Sequence, residues 1–321
     1  MTLESSLDSA RSREALRAAQ LYYIQDLTMD AIAHELHTSR SSVSRLLSFA
    51  RETGLVEISI RSPVDLLGRV EREILGRYGV TAHVVPVPDR ISEVDRLERV
   101  ALSAARVLAG LVDSNQTLGI AWGATLSAIG RHLPQKKTHN THVVQLNGAA
   151  NVRTSGIPYA GEILGRFGTA FSAEVHQFPV PALFDDPETK QALWRERSVR
   201  RVLERQGRAD ILVFGLGSQA AGVPSHVYAG DYFDPGDYEV MEREGVVGDV
   251  ATHFYRADGS DEGIPLNARS SGPDLDVIRG IPRRVCVVSG RTKLPSLRGA
   301  LAAGITTDLV LDDSLARHLV G

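Results

Sequence analysis

One cysteine, Cys286, is all that a chain of 321 residues contains. No intramolecular disulfide and no cysteine zinc site can therefore form, which fits the reducing cytoplasm expected as its location. Positive charge is not in excess either: 36 Lys and Arg stand against 39 Asp and Glu, a formal net charge of −3. Binding of a polyanion through bulk charge is excluded, so any contact with nucleic acid must be local. No run approaches the ~20 apolar residues of a membrane helix. The start, Met-Thr-Leu-Glu-Ser-Ser, lacks the basic and then apolar segments of a secretory signal. No membrane partner is expected.

Several catalytic signatures are missing as well. There is no Gly-x-Ser-x-Gly elbow, no Walker loop and no Gly-x-Gly-x-x-Gly after a first strand, and Gly215-Leu-Gly217 is too short a fragment to indicate a dinucleotide. The ten histidines are scattered; His139 and His142 are near neighbours, but no His-x-x-x-His or compact His/Asp/Glu cluster is visible. Neither a metal nor a cofactor is expected.

What is present is an ordinary globular composition, 43% apolar and 23% charged, able to bury a core. The length is about twice the ~150-residue prior for one domain, which favours two. Residues 1–62 read as helices followed by a strand over Val56–Ile60. Residues 63–321 alternate strand-like and helix-like segments, and the boundary falls near Ser62-Pro63. The larger part opens on an amphipathic helix from residue 64, with Leu66, Leu67, Val70 and Ile74 on one side, leading to a strand over Ala82–Val87. Further buried strands are expected at 117–121, 142–146, 210–214, 249–255, 284–288 and 308–311, separated by helices of crossover length. Together these predict an α/β chain: a small helical domain, then a larger, doubly wound, mostly parallel domain. Residues 256–273 read as a long loop, either a lid or a surface connection.

The small domain carries the sharper signal. Met29, Ile32, Ala33 and Leu36 repeat at helical spacing, as do Val43, Leu46, Leu47 and Ala50, and His37-Thr38 separates the two runs. A helix over Arg13–Gln25, with Leu16, Ala19 and Tyr23 on one stripe, completes a three-helix unit. Helices at 28–36 and 39–51 have the spacing of a helix-turn-helix, whose second helix enters the DNA major groove. Opposite the apolar side of that helix lie Ser41, Ser44, Arg45 and Ser48, flanked by Arg40 and Arg51, with no acid between Leu36 and Arg51. Arginine pairs with guanine edges and serine with phosphates or either groove edge. Thr38 or Ser39 caps the helix and aims its first amides at a phosphate. Arg40 and Arg45 are the candidate base contacts, followed by Ser41, Ser42 and Ser44. The plainer reading is a helical hairpin whose polar residues merely face solvent.

In the larger part, glycine turns follow the strands. Gly123-Ala124-Thr125 opens a helix after strand 117–121, and its amides and hydroxyl suit a phosphate. Ser289-Gly290-Arg291-Thr292-Lys293 follows strand 284–288 and adds two cations at a helix start, which suit an anionic group or simply water. Asp249 is placed to accept hydrogen bonds from sugar hydroxyls, or else to be a turn residue.

The run Ser42-Val-Ser-Arg-Leu-Leu47, with Ala50-Arg51 and Gly54-Leu-Val56 after it, resembles the DNA-binding head of SorC-type (SorC/DeoR) bacterial transcriptional regulators. The remainder resembles that family's sugar-binding domain at Leu118-Gly-Ile-Ala-Trp-Gly-Ala-Thr-Leu126, Val144-Gln-Leu-Asn-Gly148, Asp210-Ile-Leu-Val-Phe-Gly-Leu-Gly217, Gly248-Asp-Val250 and Val288-Ser-Gly-Arg-Thr-Lys293. The resemblance implies a fold related to sugar-phosphate isomerases and deaminases, binding a phosphorylated sugar or polyol without turnover. It also implies a homotetramer. Carried over by motif, Gly123, Ala124 and Thr125 hold the phosphate, Asp249 faces ligand hydroxyls, Lys293 sits beside the ligand after the Gly290 turn, and Asn147 and Gly148 line the pocket. Ser289 and Ala149 depart from the family pattern, where glycines are usual. The expected function is a DNA-binding regulator of carbohydrate metabolism whose affinity for a palindromic operator is set by a sugar phosphate or a related sugar or polyol; an unphosphorylated sugar or polyol is a third reading that differs only in ligand. The competing reading is a sugar-phosphate isomerase or deaminase-like enzyme carrying a DNA-binding domain, with Asp249 and Lys293 as acid and base.

Overall fold

The computed structural model describes residues 3–25, 27–56, 68–88, 90–219, 223 and 225–321, with side chains from residue 10 onward. Contacts divide the chain into two units, Met1–Leu66 and Leu67–Gly321. The Ser62-Pro63 boundary, residues 57–60 of the expected strand and residues 64–67 of the expected helix lie outside the described residues.

The first unit consists of α1 (Leu3–Tyr23), α2 (Met29–Glu35) and α3 (Arg40–Glu52). Helices as short as α2 and α3 are marginal alone and depend on burying one face. Here Ile32, Ala33, Val43, Leu47 and Ala50 close on Ala15, Ala18, Ala19 and Leu21. The stripe expected on α1 is corrected: Leu16 and Tyr23 are 41% and 38% exposed. Alanines face α3 instead, and small side chains let the helices approach closely. Thr28 caps α2, its Oγ1 accepting from the Ala31 N–H at 3.2 Å. His37, at φ 49°, turns the chain between α2 and α3.

The second unit is built on a seven-stranded sheet. Its strands are β1 (Thr81–Val85), β2 (Thr117–Ile120), β3 (His142–Gln145), β4 (Glu174–His176), β5 (Ile211–Phe214), β8 (Arg283–Val288) and β9 (Asp308–Asp312). A separate antiparallel hairpin joins β6 (Val246–Val250) to β7 (His253–Arg256). The order in the large sheet is β1-β9-β8-β5-β2-β3-β4, every pair parallel. Every residue of β5 and β9 is buried, as strands covered on both faces require. Helices α4 (Arg69–Tyr78), α5 (Glu93–Leu111), α6 (Ala124–His132) and α7 (Ile157–Phe171) supply part of the cover. Among the described residues no helix is long and apolar enough to cross a membrane.

From β2 the chain proceeds outward through β3 and β4, then returns to lay β5 on the other side of β2 and continues through β8 and β9. The order therefore reverses between β2 and β5, and the crevice at their carboxyl ends is a topological switch point.

Two sequence expectations change here. The stretch 249–255 is not one strand: Ala251 and Thr252, at φ 47° and 67°, reverse the chain between β6 and β7. Such turns normally advertise themselves with Asn or Gly, and neither is present. Residues 256–273 contain the helix Pro265–Arg269 and end on buried Ser270 and Ser271, so they form a packed connection.

One buried carboxylate ties several elements together. Asp312, fully buried at the end of β9, pairs with Arg96 of α5 at 3.1 Å. Its Oδ1 also accepts from the Leu315 N–H at 3.1 Å, capping the last helix, and its Oδ2 accepts from the Gly290 N–H at 2.7 Å. Without Asp312, buried Arg96 keeps only the part-exposed Glu93 at 3.4 Å, and the Gly290 and Leu315 amides lose their acceptor, so Asp312→Ala is expected to cost about 3–5 kcal/mol. Urea denaturation checks this; a loss below about 1 kcal/mol would show that the carboxylate does not hold these elements.

Candidate functional site

The switch-point crevice is a cleft lined by the turns that follow β2, β3, β5 and β8 and by the β6–β7 hairpin. Of the residues singled out from sequence, Gly123, Ala124, Thr125, Asn147, Asp249 and Lys293 all line it. Gly148 and Gly290 do not. Gly148 is packed beneath: its N–H donates to Ser271 Oγ at 2.9 Å, and a Cβ there would lie 2.2 Å from the Val180 carbonyl. Gly290, at φ 86°, shapes the turn that brings Lys293 inward, and a Cβ there would strike Glu93.

Glycines at the end of β5 have a role that the sequence alone did not reveal. A Cβ on Gly217 would lie 1.6 Å from Asp249 Oδ1, and one on Gly215 would lie 2.9 Å from Thr125 Oγ1. The backbone here must pass close enough to seat both side chains. Gly217 also bridges to Asp249, its N–H donating to the Asp249 carbonyl at 2.8 Å.

Asp249 is buried, and its Oδ2 accepts from the Thr252 N–H at 3.0 Å, which braces the positive-φ hairpin turn. Burial raises its pKa above the ordinary carboxylate value, against the opposing pull of the Tyr228 hydroxyl, the Thr252 N–H and Lys293. Lys293 is moved the other way: burial lowers its ammonium to about 8, although Asp249 favours the charged form. Its Nζ donates to the Leu216 carbonyl.

Oδ1 of Asn147 has no hydrogen-bond partner among the described residues, and Oδ1 of Asp249 has none of good geometry, although the Tyr228 hydroxyl lies near enough to act on the carboxylate. Buried acceptors left unmatched are costly, and they mark places where a donor belongs. At the start of α6, Gly123 offers no side chain to cap the first-turn amides, which leaves them suited to an anion.

Sequence reasoning missed an aromatic cluster of which Trp122 and His226 line the cleft and Tyr159 and Tyr232 stand behind them. Trp122 donates its indole N–H to the Gly148 carbonyl at 2.8 Å, and its ring meets Tyr159, His226 and Tyr232, with Tyr159 and His226 stacked at 4.4 Å. These aromatics come from three separate stretches of chain, around Trp122, Tyr159 and His226–Tyr232, and no linear spacing joins them. The Tyr232 hydroxyl donates to the Ala149 carbonyl at 2.9 Å.

In the first unit, all nine polar residues expected on the DNA side are exposed or partly exposed: Thr38, Ser39, Arg40, Ser41, Ser42, Ser44, Arg45, Ser48 and Arg51. Ser39, not Thr38, caps α3, its Oγ accepting from the Ser42 N–H at 3.2 Å and lying 2.8 and 2.9 Å from the Ser41 and Ser42 hydroxyls. Arg45 donates to the Ser41 carbonyl at 3.4 Å, and Arg51 to Ser48 Oγ at 3.1 Å. Arg40 pairs with Asp30 of α2 at 3.7 Å. Exposed pairs of this kind contribute at most about 1 kcal/mol, so Asp30 holds Arg40 only weakly.

A family model described as "Putative sugar-binding domain" matches residues 63–321. The deoxyribonucleoside regulator of Bacillus subtilis (strain 168) is 30% identical over 98% of this chain and 99% of its own length. The chain belongs to the SorC/DeoR-type family of transcriptional regulators. Two solved structures resemble this SorC-type regulator. A domain described as that of a possible sugar-binding transcriptional regulator from Arthrobacter aurescens TC1 is 54% identical, with TM-score 0.75, over 81% of this chain and all of that one. The full-length sorbitol operon regulator SorC of Klebsiella pneumoniae, at 23% identity and TM-score 0.79, covers 96% of this chain and 98% of its own, and shows the same fold. The SorC-type chain is accordingly an effector-responsive, DNA-binding regulator rather than an enzyme: the relatives that it matches along their whole length are regulators of transcription.

The lysine gives a pH test. Because the folded-state pKa of Lys293, about 8, lies below its ordinary 10.5, its protonated form weighs against the fold. That cost is complete below about pH 8 and is relieved as pH rises toward about 10.5. Wild type is therefore expected to gain stability relative to Lys293→Met between pH 7.5 and 10.5. Urea midpoints measured across that range check it, and a pH-independent difference would show an ordinary surface lysine.

Proposed function

We propose that the switch-point cleft is the effector site and that it takes a phosphorylated sugar or polyol. The observation that carries this reading is the pair of buried acceptors without a well-placed donor, Asn147 Oδ1 and Asp249 Oδ1, in one cleft with the Lys293 ammonium and the uncapped start of α6. Hydroxyl groups supply the missing donors, and the cation and amides suit a phosphate. Trp122, with His226 beside it in the cleft lining, offers an apolar face to a ring or carbon chain. Relatives named for deoxyribonucleosides and for the sorbitol operon are consistent with a polyhydroxylated ligand.

In the same reading α3 enters the major groove, with Arg40 and Arg45 at base edges and Ser39, Ser41, Ser42, Ser44, Ser48, Thr38 and Arg51 on the backbone or nearby edges. The division of labour is residues 1–62 for DNA and 63–321 for effector and assembly. A homotetramer in the cytoplasm binds a palindromic or pseudo-palindromic operator whose half-sites lie about one helical turn, or a multiple of it, apart. The effector shifts operator affinity by the difference in its own affinity for the DNA-competent and DNA-incompetent states.

Thermal melting against free and phosphorylated sugars and polyols tests the ligand class. A ligand at 100 times its dissociation constant stabilises by about 2.7 kcal/mol, a clear upward shift. Phosphosugars are expected to give that shift and inorganic phosphate to compete with them; hits confined to neutral compounds would remove Thr125 and Lys293 from phosphate binding. Lys293→Ala is expected to abolish the response to effector while sparing operator binding. Arg45→Ala is expected to weaken operator binding by about 1–3 kcal/mol and relax base preference, and an unchanged affinity would take Arg45 off the reading face.

A further inference from the structure

Away from the cleft, the register of two parallel strands makes a constellation that linear spacing hides. β3 pairs with the edge strand β4 so that His142 lies opposite Glu174 and Val144 opposite His176. Residues two apart on a strand share a face, so His142, Glu174 and His176 project from the same side of the sheet. His142 Nδ1 lies 3.1 Å from His176 Nε2 and 3.5 Å from Glu174 Oε2, and Glu174 Oε1 lies 3.7 Å from His176 Nε2. One ligand atom from each residue falls within 4.8 Å of the other two. The expectation of no compact His/Asp/Glu cluster is thereby corrected.

Donors held at about 2.0–2.1 Å from a tetrahedral ion sit about 3.3 Å from one another, close to the spacing seen. A hydrogen bond between two neutral imidazoles would account for the 3.1 Å contact alone. It leaves the carboxylate at 3.5 and 3.7 Å, too far for a good hydrogen bond to either ring and well placed to share an ion with both. The two imidazoles are largely buried, at 21% and 18% side-chain exposure, whereas Glu174 is 67% exposed. The open side leaves room for water as a fourth ligand.

We propose that His142, Glu174 and His176 form a binding site for one divalent transition-metal ion, with zinc the ion best matched to two imidazoles and a carboxylate. The three residues lie at the start of β3 and on β4, whereas Asn147 of the cleft follows the end of β3, so the ion sits at the opposite end of the strand from the effector. Its effect is to fasten a three-residue edge strand to its neighbour, because metal that binds only the folded chain stabilises it by mass action.

The test uses full-length protein freed of metal by chelator. Cobalt(II) titration is expected to give visible ligand-field bands that saturate at one equivalent, and zinc(II) at 100 times its dissociation constant to raise the melting temperature by about 5 °C or more. Both responses are expected to vanish in His142→Ala and His176→Ala. Affinity should fall about tenfold or more in Glu174→Gln, a substitution at an exposed position that leaves the fold intact even if a histidine variant does not fold. Absence of the cobalt bands and of a zinc shift in wild type, or a shift that survives in Glu174→Gln and in the histidine variants, would overturn the assignment.

Discussion

A parallel sheet buried on both faces has nowhere to put a ligand except at the ends of its strands, and that constraint organises the second unit. Every residue of β5 and β9 is covered, so no sheet face is free beside them. The reversal of strand order between β2 and β5 opens the carboxyl end of the sheet, and four turns with the β6–β7 hairpin converge on the opening. Gly215 and Gly217 complete the arrangement by letting the backbone pass against Thr125 and Asp249.

The chemistry of the cleft follows from this confinement. Burial disfavours charge, and it pushes Asp249 and Lys293 toward neutrality from opposite sides. At about 8 the lysine keeps its charge at neutral pH but holds it against burial, and the carboxylate beside it is held against burial in the same way. Asp249 also braces a turn whose two central residues hold positive φ without being glycine, a conformation that persists only where its surroundings impose it. The carboxylate therefore connects the polar floor of the cleft to the shape of its hairpin wall.

The first unit solves a different problem, presenting local positive charge from a chain that is acidic overall. Ser39 and its neighbouring hydroxyls organise the start of α3, while Arg45 and Arg51 bond within their own helix. The alanine stripe of α1 gives α3 a close-packed back, which leaves the serine and arginine side exposed.

The sequence by itself determined what repeats locally. Helical periodicity and the serine cap located α2 and α3 and the polar side of α3, and apolar runs between glycine turns located six of the seven strands of the large sheet together with six residues of the cleft. Its one miss in that sheet, β4, has three residues, two of them polar, and carries no pattern to read. Tertiary structure alone decided what depends on distant stretches meeting. It turned 249–255 into a hairpin without the usual turn residues, moved Gly148 and Gly290 from the pocket wall to its support, and assembled the Trp122 aromatic cluster. It also brought His142 against Glu174 and His176. Periodicity records which face of an element is buried, whereas a site at strand ends depends on register and strand order, which no single segment encodes.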